Sequence, residues 1–190
     1  MQSIVVTGTP GTGKTKFSKA LAKKLRYNYV DLNEFLLKTK CYEGFDYERR
    51  SYVINIGKAK SIVRKKFATG CFIFDSHLSH LIIPKEFVKI CFVLRTSPYV
   101  LEKRLLSRGF DRQKVLENCS AEILDVILKE AIDEYGAENI CELDTTTTTV
   151  NELVSYAIKV IKGAEKPKIG IVNWLKLVQE NGDLSYFFRN

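Results

Sequence analysis

The chain has 190 residues, of which 45% are hydrophobic and 27% charged, the composition of an ordinary globular domain. This length provides one domain with a full core and is short for two, and no apolar run approaches the ~20 residues of a membrane span. The net charge of +8 favours anionic partners, either nucleotides or RNA, without choosing between them.

Five cysteines, an odd number without a C-x-x-C pair, argue against a disulfide framework. At least three of them fall in apolar, strand-like runs, so we expect reduced, buried thiols in a cytoplasmic protein. The alternative is a metal site that joins cysteines to His77 or His80, and the spacing gives it no support. The start, "MQSIVVTG", lacks basic residues before its apolar stretch and therefore predicts a first strand rather than a signal peptide.

In chain order, short β-rich or near-continuous apolar runs predict strands at 3–8, 27–30, 71–75, 88–94 and 139–143. Apolar residues at helical spacing predict helices at 14–25, 47–68, 98–107, 112–134 and 149–162, with a polar, irregular stretch before the second helix. Thr149 and Glu152 have the spacing of a capping box. A break at 163–167 separates a domain, 1–164, from a C-terminal helical extension, 165–190. Strands that alternate with helices predict a three-layer α/β fold, with a five-stranded, mostly parallel sheet and helices on both faces.

The stretch "GTPGTGKT" (8–15) matches G-x-x-x-x-G-K-[ST] in full, between a predicted strand and a predicted helix. Gly8, Gly11 and Gly13 let the backbone curl so that amide groups and the helix N-terminus bind phosphate oxygens. Lys14 adds a positive charge for the β and γ phosphates, and the Thr15 hydroxyl is the expected Mg²⁺ ligand. The motif therefore predicts a P-loop that binds ATP with Mg²⁺.

Both histidines lie in "FIFDSHLSH" (72–80), directly after an apolar strand. In P-loop proteins an acid at this place lies near Mg²⁺ or the attacking group, so we expect Asp75 to hold the water shell of Mg²⁺ or to orient the acceptor. His77 then lies at the carboxyl edge of the sheet, where it could orient a water molecule or an acceptor, shuttle a proton, or be a structural histidine. For His80 we expect a structural role, because the stretch supplies too few ligands for zinc.

Four stretches together carry a family resemblance: "VVTGTPGTGKT", "YEGFD", "FDSH" and "VLRTSPYVLEKRLLSRGF". Over residues 3–162 the chain resembles the adenylate kinase isoenzyme 6 family, small broad-specificity nucleoside monophosphate kinases that also act as ATPases in small-subunit ribosome maturation. The P-loop is generic to many folds. The D-x-H pattern and the arginine-rich fourth stretch are much more specific.

The resemblance implies a role for individual residues. Gly11, Gly13, Lys14, Thr15 and Lys16 would bind ATP, and Thr15 with Asp75 would hold Mg²⁺, in part through water. Residues 31–54 would form the arm that binds the monophosphate, AMP above all. Residues 107–117 would form a short lid with Arg108 over ATP, and Asp75 with His77 would be the acid–x–histidine pair of ATP hydrolysis.

Arginines cluster where the lid and its hinge are expected. A guanidinium fork suits phosphate geometry, so we expect Arg108 and Arg112 near phosphate. For Arg95 and Arg104 a phosphate contact and a structural or solvated role stay equally open. Gly109 could help the lid to close and exclude water.

The sequence departs from the family after the arm, where members often carry an acidic L-D-E-D-like stretch. Here the corresponding stretch is "VINIGK" (53–58), with Asn55 and Lys58. This departure predicts weak or altered monophosphate kinase activity.

The tail after residue 165 places Ile171, Trp174, Leu175 and Val178 on one helical stripe, followed by "YFF" at 186–188. We expect a helix that packs back on the domain, and the alternative is an element that docks a partner or RNA. Archaeal-type members of the family have a similar tail, which favours an archaeal cytoplasmic protein.

Three functions follow from the residues together with the resemblance, which alone implies the ribosomal partners. The first is transfer of the γ-phosphate of ATP to AMP or a related monophosphate. The second is an assembly ATPase whose partners are a small-subunit ribosomal protein and rRNA, and the two can coexist in one protein. The third is a small-metabolite kinase of the shikimate type, for which Arg49 and Arg50 would bind a carboxylate. No membrane partner is expected.

Overall fold

A computed structural model describes residues 3–47 and 51–188. Its strands are β1 (Ser3–Thr7), β2 (Asn28–Asp31), β3 (Tyr42–Asp46), β4 (Ser51–Ile54), β5 (Phe72–Asp75), β6 (Val88–Arg95) and β7 (Ile140–Asp144). Its α-helices are α1 (Lys14–Leu25), α2 (Leu32–Lys38), α3 (Ile56–Lys66), α4 (Ser79–Ile82), α5 (Pro98–Leu106), α6 (Arg112–Ile123), α7 (Val126–Tyr135), α8 (Val150–Ile161), α9 (Trp174–Glu180) and α10 (Leu184–Phe187). Short 3-10 helices cover 85–87 and 137–139.

Within the described residues, five strands form the main sheet in the order β2-β5-β1-β6-β7, and every pairing is parallel. The prediction of a five-stranded parallel sheet is therefore confirmed. Because parallel strands end at one edge, the residues that close β1, β5 and β6 lie together there. The register aligns Asp75 with Val6 of β1 and with Asp31 of β2.

Helices cover both faces of the sheet, which explains why its strands are apolar in continuous runs. One face packs on α2, α3, α4 and α7, and the other packs on α1 and α8. A third cluster lies beside the sheet, where α5 and α6 bury side chains of the tail: Trp174, Val178 and Phe187. Of the four residues that the sequence places on one stripe of the tail, Trp174 and Val178 are thus buried, whereas Ile171 and Leu175 are exposed.

The predicted helix over 47–68 is wrong in its first half. Residues 51–54 form β4, which pairs antiparallel with β3 in a separate hairpin. Helix α3 begins only at Ile56, because the Asn55 side chain caps it by accepting a bond of 2.8 Å from the amide of Lys58. The stretch expected to be irregular holds α2 and β3 instead, and residues 48–50 lie outside the described ranges.

The predicted single helix over 112–134 is wrong in its continuity. It divides into α6 and α7 at Asp125, whose φ of 56° is left-handed. The Asp125 carboxylate accepts a hydrogen bond from Arg95, thirty positions earlier, so a long-range contact accompanies the break. By contrast, α8 begins with the capping box of Thr149 and Glu152 that the sequence predicts.

Four cysteines are buried, namely Cys41, Cys91, Cys119 and Cys141, whereas Cys71 is exposed. Burial raises the pKa of the Cys91 and Cys119 thiols. Over residues 3–47 and 51–188, no helix combines the length and the apolar character that a bilayer crossing needs.

Candidate nucleotide-binding site

The loop between β1 and α1 requires glycine for its shape. Gly8, Gly11 and Gly13 have φ values of 136°, 96° and 92°. A Cβ on Gly8 would lie 2.4 Å from the carbonyl oxygen of Leu94, and one on Gly11 would lie 2.7 Å from a methyl carbon of Leu101. The loop is therefore pressed against β6 and α5, and its backbone curls ahead of the α1 N-terminus as phosphate binding requires.

Lys14 folds over this loop. Its ammonium donates hydrogen bonds to the carbonyl oxygens of Gly8, at 2.7 Å, and Thr9, at 3.0 Å. Burial lowers the pKa of Lys14 to about 8, although the carboxylates of Asp75 and Glu122 act in the opposite direction. Lys14 thus remains mostly protonated at pH 7.

Asp75 ends β5 beside the P-loop, as the sequence predicts, and it is 3% exposed. Burial raises the pKa of its carboxyl, against a hydrogen bond from Thr15, the charge of Lys14 and a hydrogen bond of 3.0 Å from the Tyr29 hydroxyl. The Thr15 hydroxyl and the Asp75 carboxylate are oxygen ligands of the kind that Mg²⁺ prefers. Their adjacency fits a Mg²⁺ ion that shares its other positions with phosphate and water.

The two histidines have different surroundings. The His80 ring is buried between the Thr7 hydroxyl, at 2.9 Å, and the Glu130 carboxylate, at 3.0 Å, so it ties β1 to α7. The His77 ring is half-buried, and burial together with the charge of Lys14 lowers its pKa to about 4. His77 is therefore neutral at pH 7 and close enough to Lys14 to be affected by its charge. Among the described residues no group of three or more His, Cys, Asp or Glu side chains could hold a metal, so the cysteine–histidine site has no support here.

Two arginines share a cavity of about 460 Å³ with the P-loop. Arg104 anchors one wall through a bond of 2.7 Å to the carbonyl oxygen of Thr145. Burial and, after it, the charge of Arg108 lower the pKa of Arg104, and the Arg108 charge also acts on Lys14. The other lining residues include Gly11, Gly13, Lys16, Thr148 and Thr149. Thr149, predicted from the sequence only as a helix cap, is thus also part of the cavity wall.

Arg112 lies apart from this cavity. Its guanidinium donates to Glu102, at 2.9 Å, and to the Tyr186 hydroxyl, and it lies 5.0 Å from the centre of the Tyr186 ring. The predicted phosphate contact of Arg112 therefore requires that these partners be released, and it stays a prediction. The predicted lid corresponds to a turn at 107–109 and the start of α6.

Arg95 takes the structural role that the sequence left open. It is 2% exposed and pairs with Glu122, Asp125 and Glu142. Glu122 also accepts a bond of 2.6 Å from the Thr9 hydroxyl in the P-loop. Sequence reasoning missed Glu122, because its partners lie 27 and 113 positions away and only its place on the buried side of an amphipathic helix hinted at a role.

Comparison with known proteins adds the family. Residues 4–125 match a family model described as AAA domain. A Pyrococcus abyssi protein named "Putative adenylate kinase" is 41% identical over 177 residues, which cover 93% of each chain. A Methanocaldococcus jannaschii protein of the same name is 38% identical over 172 residues, covering 90% of this chain and 92% of the relative. The chain belongs to this adenylate-kinase-like family.

Solved structures share the fold of this adenylate-kinase-like chain. Deoxyadenosine kinase from M. mycoides matches with a TM-score of 0.58 at 14% identity, covering 85% of this chain and 100% of that one. Shikimate kinase from Acinetobacter baumannii matches with a TM-score of 0.58 at 18% identity, covering 87% and 95%. At these identities the likeness establishes the P-loop kinase fold alone.

The segment predicted as the acceptor arm is built around the β3–β4 hairpin. Asn55 donates a bond of 2.7 Å to Glu43, and the Lys58 ammonium donates one of 2.8 Å to the carbonyl oxygen of Lys40. Asn55 and Lys58 thus connect α3 and its cap to the hairpin and to Lys40, which precedes it. Arg49 and Arg50, the carboxylate-binding candidates, lie outside the described residues.

Proposed function

We propose that this chain transfers the γ-phosphate of Mg-ATP to AMP or a related nucleoside monophosphate. The proposal is carried by a complete P-loop whose Lys14 and Thr15 line a cavity together with Arg108, while Asp75 ends the neighbouring strand β5. Phosphoryl transfer depends on positioning and charge neutralisation more than on covalent chemistry, and this site offers both.

Different groups of residues bind ATP, Mg²⁺ and the monophosphate. Gly11, Gly13, Lys14, Thr15 and Lys16 bind the phosphates of ATP. Thr15 and Asp75 hold Mg²⁺, which neutralises phosphate charge when it is bound. Arg108 closes over the γ-phosphate, and Arg112 joins it when the lid, 107–117, moves away from Glu102 and Tyr186. The arm, 31–54, holds the monophosphate.

We propose hydrolysis of ATP as a second activity of the same site. A neutral His77 beside Lys14 can accept a hydrogen bond from water and orient it, while bound phosphate would favour its protonation. The D-x-H pattern and the net charge of +8 support a cytoplasmic role in small-subunit ribosome maturation, with a ribosomal protein and rRNA as partners. The alternative is that the chain is only an assembly ATPase, with negligible monophosphate kinase activity.

The test measures ADP and free phosphate formed from Mg-ATP, with and without AMP, for the wild type, His77→Ala and His77→Gln. We expect AMP-dependent ADP formation in all three. Phosphate release without AMP should fall in His77→Ala and be partly retained in His77→Gln, whose amide oxygen can still accept a hydrogen bond.

The outcomes separate the alternatives. ADP formation that requires AMP, without free phosphate, would leave a monophosphate kinase and remove the support for the ribosomal role. Phosphate release that AMP does not change would leave the assembly ATPase. Turnover with shikimate in place of AMP would identify a small-metabolite kinase.

A further inference from the structure

The tail contacts two buried carboxylates of the domain through a segment that we name the strap, residues 168–174. The carbonyl oxygen of Lys168 accepts a bond of 2.8 Å from the amide of Glu142 in β7. The amides of Gly170 and Ile171 then donate to the Glu142 carboxylate, the second at 3.1 Å. The strap ends with the indole N–H of Trp174, which donates a bond of 3.3 Å to the Glu122 carboxylate.

The carboxylates that the strap contacts are buried. Glu122 is 3% and Glu142 1% exposed, and both pair with Arg95, which is 2% exposed. One guanidinium cannot balance two buried carboxylates and the nearby Asp125, so the remaining negative charge depends on N–H and O–H donors. The strap supplies three of these donors.

The same Glu122 carboxylate reaches the P-loop. One oxygen accepts the bond from the Thr9 hydroxyl, and the other accepts from Arg95, from the Thr96 amide at 3.1 Å and from Trp174. The carbonyl oxygen of Thr9 in turn accepts hydrogen bonds from the Lys14 ammonium and from the Thr12 hydroxyl. A continuous line of contacts therefore runs from the tail to the phosphate-binding lysine.

We infer that Glu122 and Trp174 are positioning residues of the P-loop, and that the strap sets the affinity of the site for Mg-ATP. Loss of the indole donor leaves the Glu122 carboxylate without one hydrogen-bond partner. The carboxylate then moves, which changes its hydrogen bond with the Thr9 hydroxyl and, through the Thr9 carbonyl oxygen, the position of Lys14. In the reverse direction, phosphate that draws Lys14 away from Thr9 alters the contact at Trp174. The inference rests on the proposed binding of ATP at this P-loop.

The first experiment uses the wild-type chain. Trp174 is the single tryptophan of the sequence, so fluorescence excited at a wavelength that the nine tyrosines do not absorb reports on the strap. Mg-ATP is titrated while emission and acrylamide quenching are followed, and calorimetry measures binding independently. We expect a saturable change in emission whose midpoint equals the calorimetric Kd.

The second experiment is a double-mutant cycle on the Kd for Mg-ATP. Trp174→Phe removes the donor and keeps an aromatic ring, and Thr9→Val removes the hydroxyl and keeps the shape. We expect each variant to raise Kd roughly fivefold or more and the double variant to be no worse than the weaker-binding single variant, with a larger effect on Kd than on kcat at saturating ATP.

Tyr99→Phe is the matched control. The Tyr99 hydroxyl, on α5, donates a bond of 2.7 Å to Asp183 and so tethers the same tail outside the Glu122 network. This variant also deletes one polar group and keeps a ring, and we expect the Kd to change less than about twofold.

The results separate two failures. If calorimetry detects no Mg-ATP binding to the wild type, the proposed function falls. If Mg-ATP binds but the Trp174 signal is silent, or if the effects of the two substitutions are additive, the positioning role falls and the nucleotide site stands. Should a variant not fold, the wild-type titration decides by itself.

Discussion

Arg95→Met tests the buried ion network through stability. Arg95 donates to Glu122 Oε1 at 2.8 Å, to the Glu122 carbonyl oxygen at 3.0 Å, and to Glu142 and Asp125. Methionine fills similar space but leaves two carboxylates, each at most 3% exposed, without their cation. Breaking a buried pair in this way costs about 3–5 kcal/mol, which for a chain of this size lowers Tm by roughly 6–20 °C.

Arg64→Met is the matched control, since Arg64 pairs with Glu86 on the surface with both side chains more than half exposed. That pair contributes at most about 1 kcal/mol. Urea unfolding, followed by far-UV circular dichroism, compares the two variants with the wild type at pH 7 and pH 5. The Arg95→Met deficit should shrink at pH 5, because unpaired buried carboxylates bind protons more tightly in the folded chain. Equal costs for the two variants would refute the reasoning.

Three further outcomes are expected. Gly8→Ala should destabilise the fold more than Gly13→Ala, because both have positive φ but a Cβ would meet backbone only at Gly8; thermal melts that rank them oppositely would contradict this. Asp75→Asn should lower turnover by about 10²-fold or more while Tm stays equal or rises, because burial raises the pKa of this carboxyl and its charge is costly to hold. His77 has a folded pKa of about 4, below its unfolded value, so its contribution to stability is complete above pH 6.5 and declines as pH falls towards 4. The Tm of His77→Gln relative to the wild type should therefore rise from pH 7 to pH 5. A constant Tm difference would count against this expectation.

The parts of the fold that sequence could predict are those whose signal is local. A few consecutive residues are enough to recognise the P-loop glycines, the apolar runs of β5 and β6, and the capping box of α8. The prediction of one helix over 47–68 was wrong because its apolar residues Val53, Ile54 and Ile56 are compatible with two structures. They fit one side of a helix, and they fit equally well a strand that ends before the cap at Asn55 and a helix that begins after it.

The site divides in the same way. Lys14, Thr15 and Asp75 could be found from motif and strand position, since each lies where a parallel sheet presents its carboxyl edge. Glu122 was missed because its partner Thr9 lies 113 positions away, and the contact of Arg112 with Tyr186, 74 positions away, was equally invisible in the sequence. Nothing in a local pattern tells an arginine that faces phosphate from one that holds the tail.

The distribution of thiols makes the order of unfolding measurable. Cys71 is exposed, whereas Cys41 lies in the cluster under α2 and α3, Cys91 and Cys141 in the sheet, and Cys119 against the tail. A maleimide should modify Cys71 at once, and each remaining thiol only when its own neighbourhood opens. Mass spectrometry of pulse-labelled chains would therefore time the opening of the arm, the sheet and the tail separately, without any introduced probe.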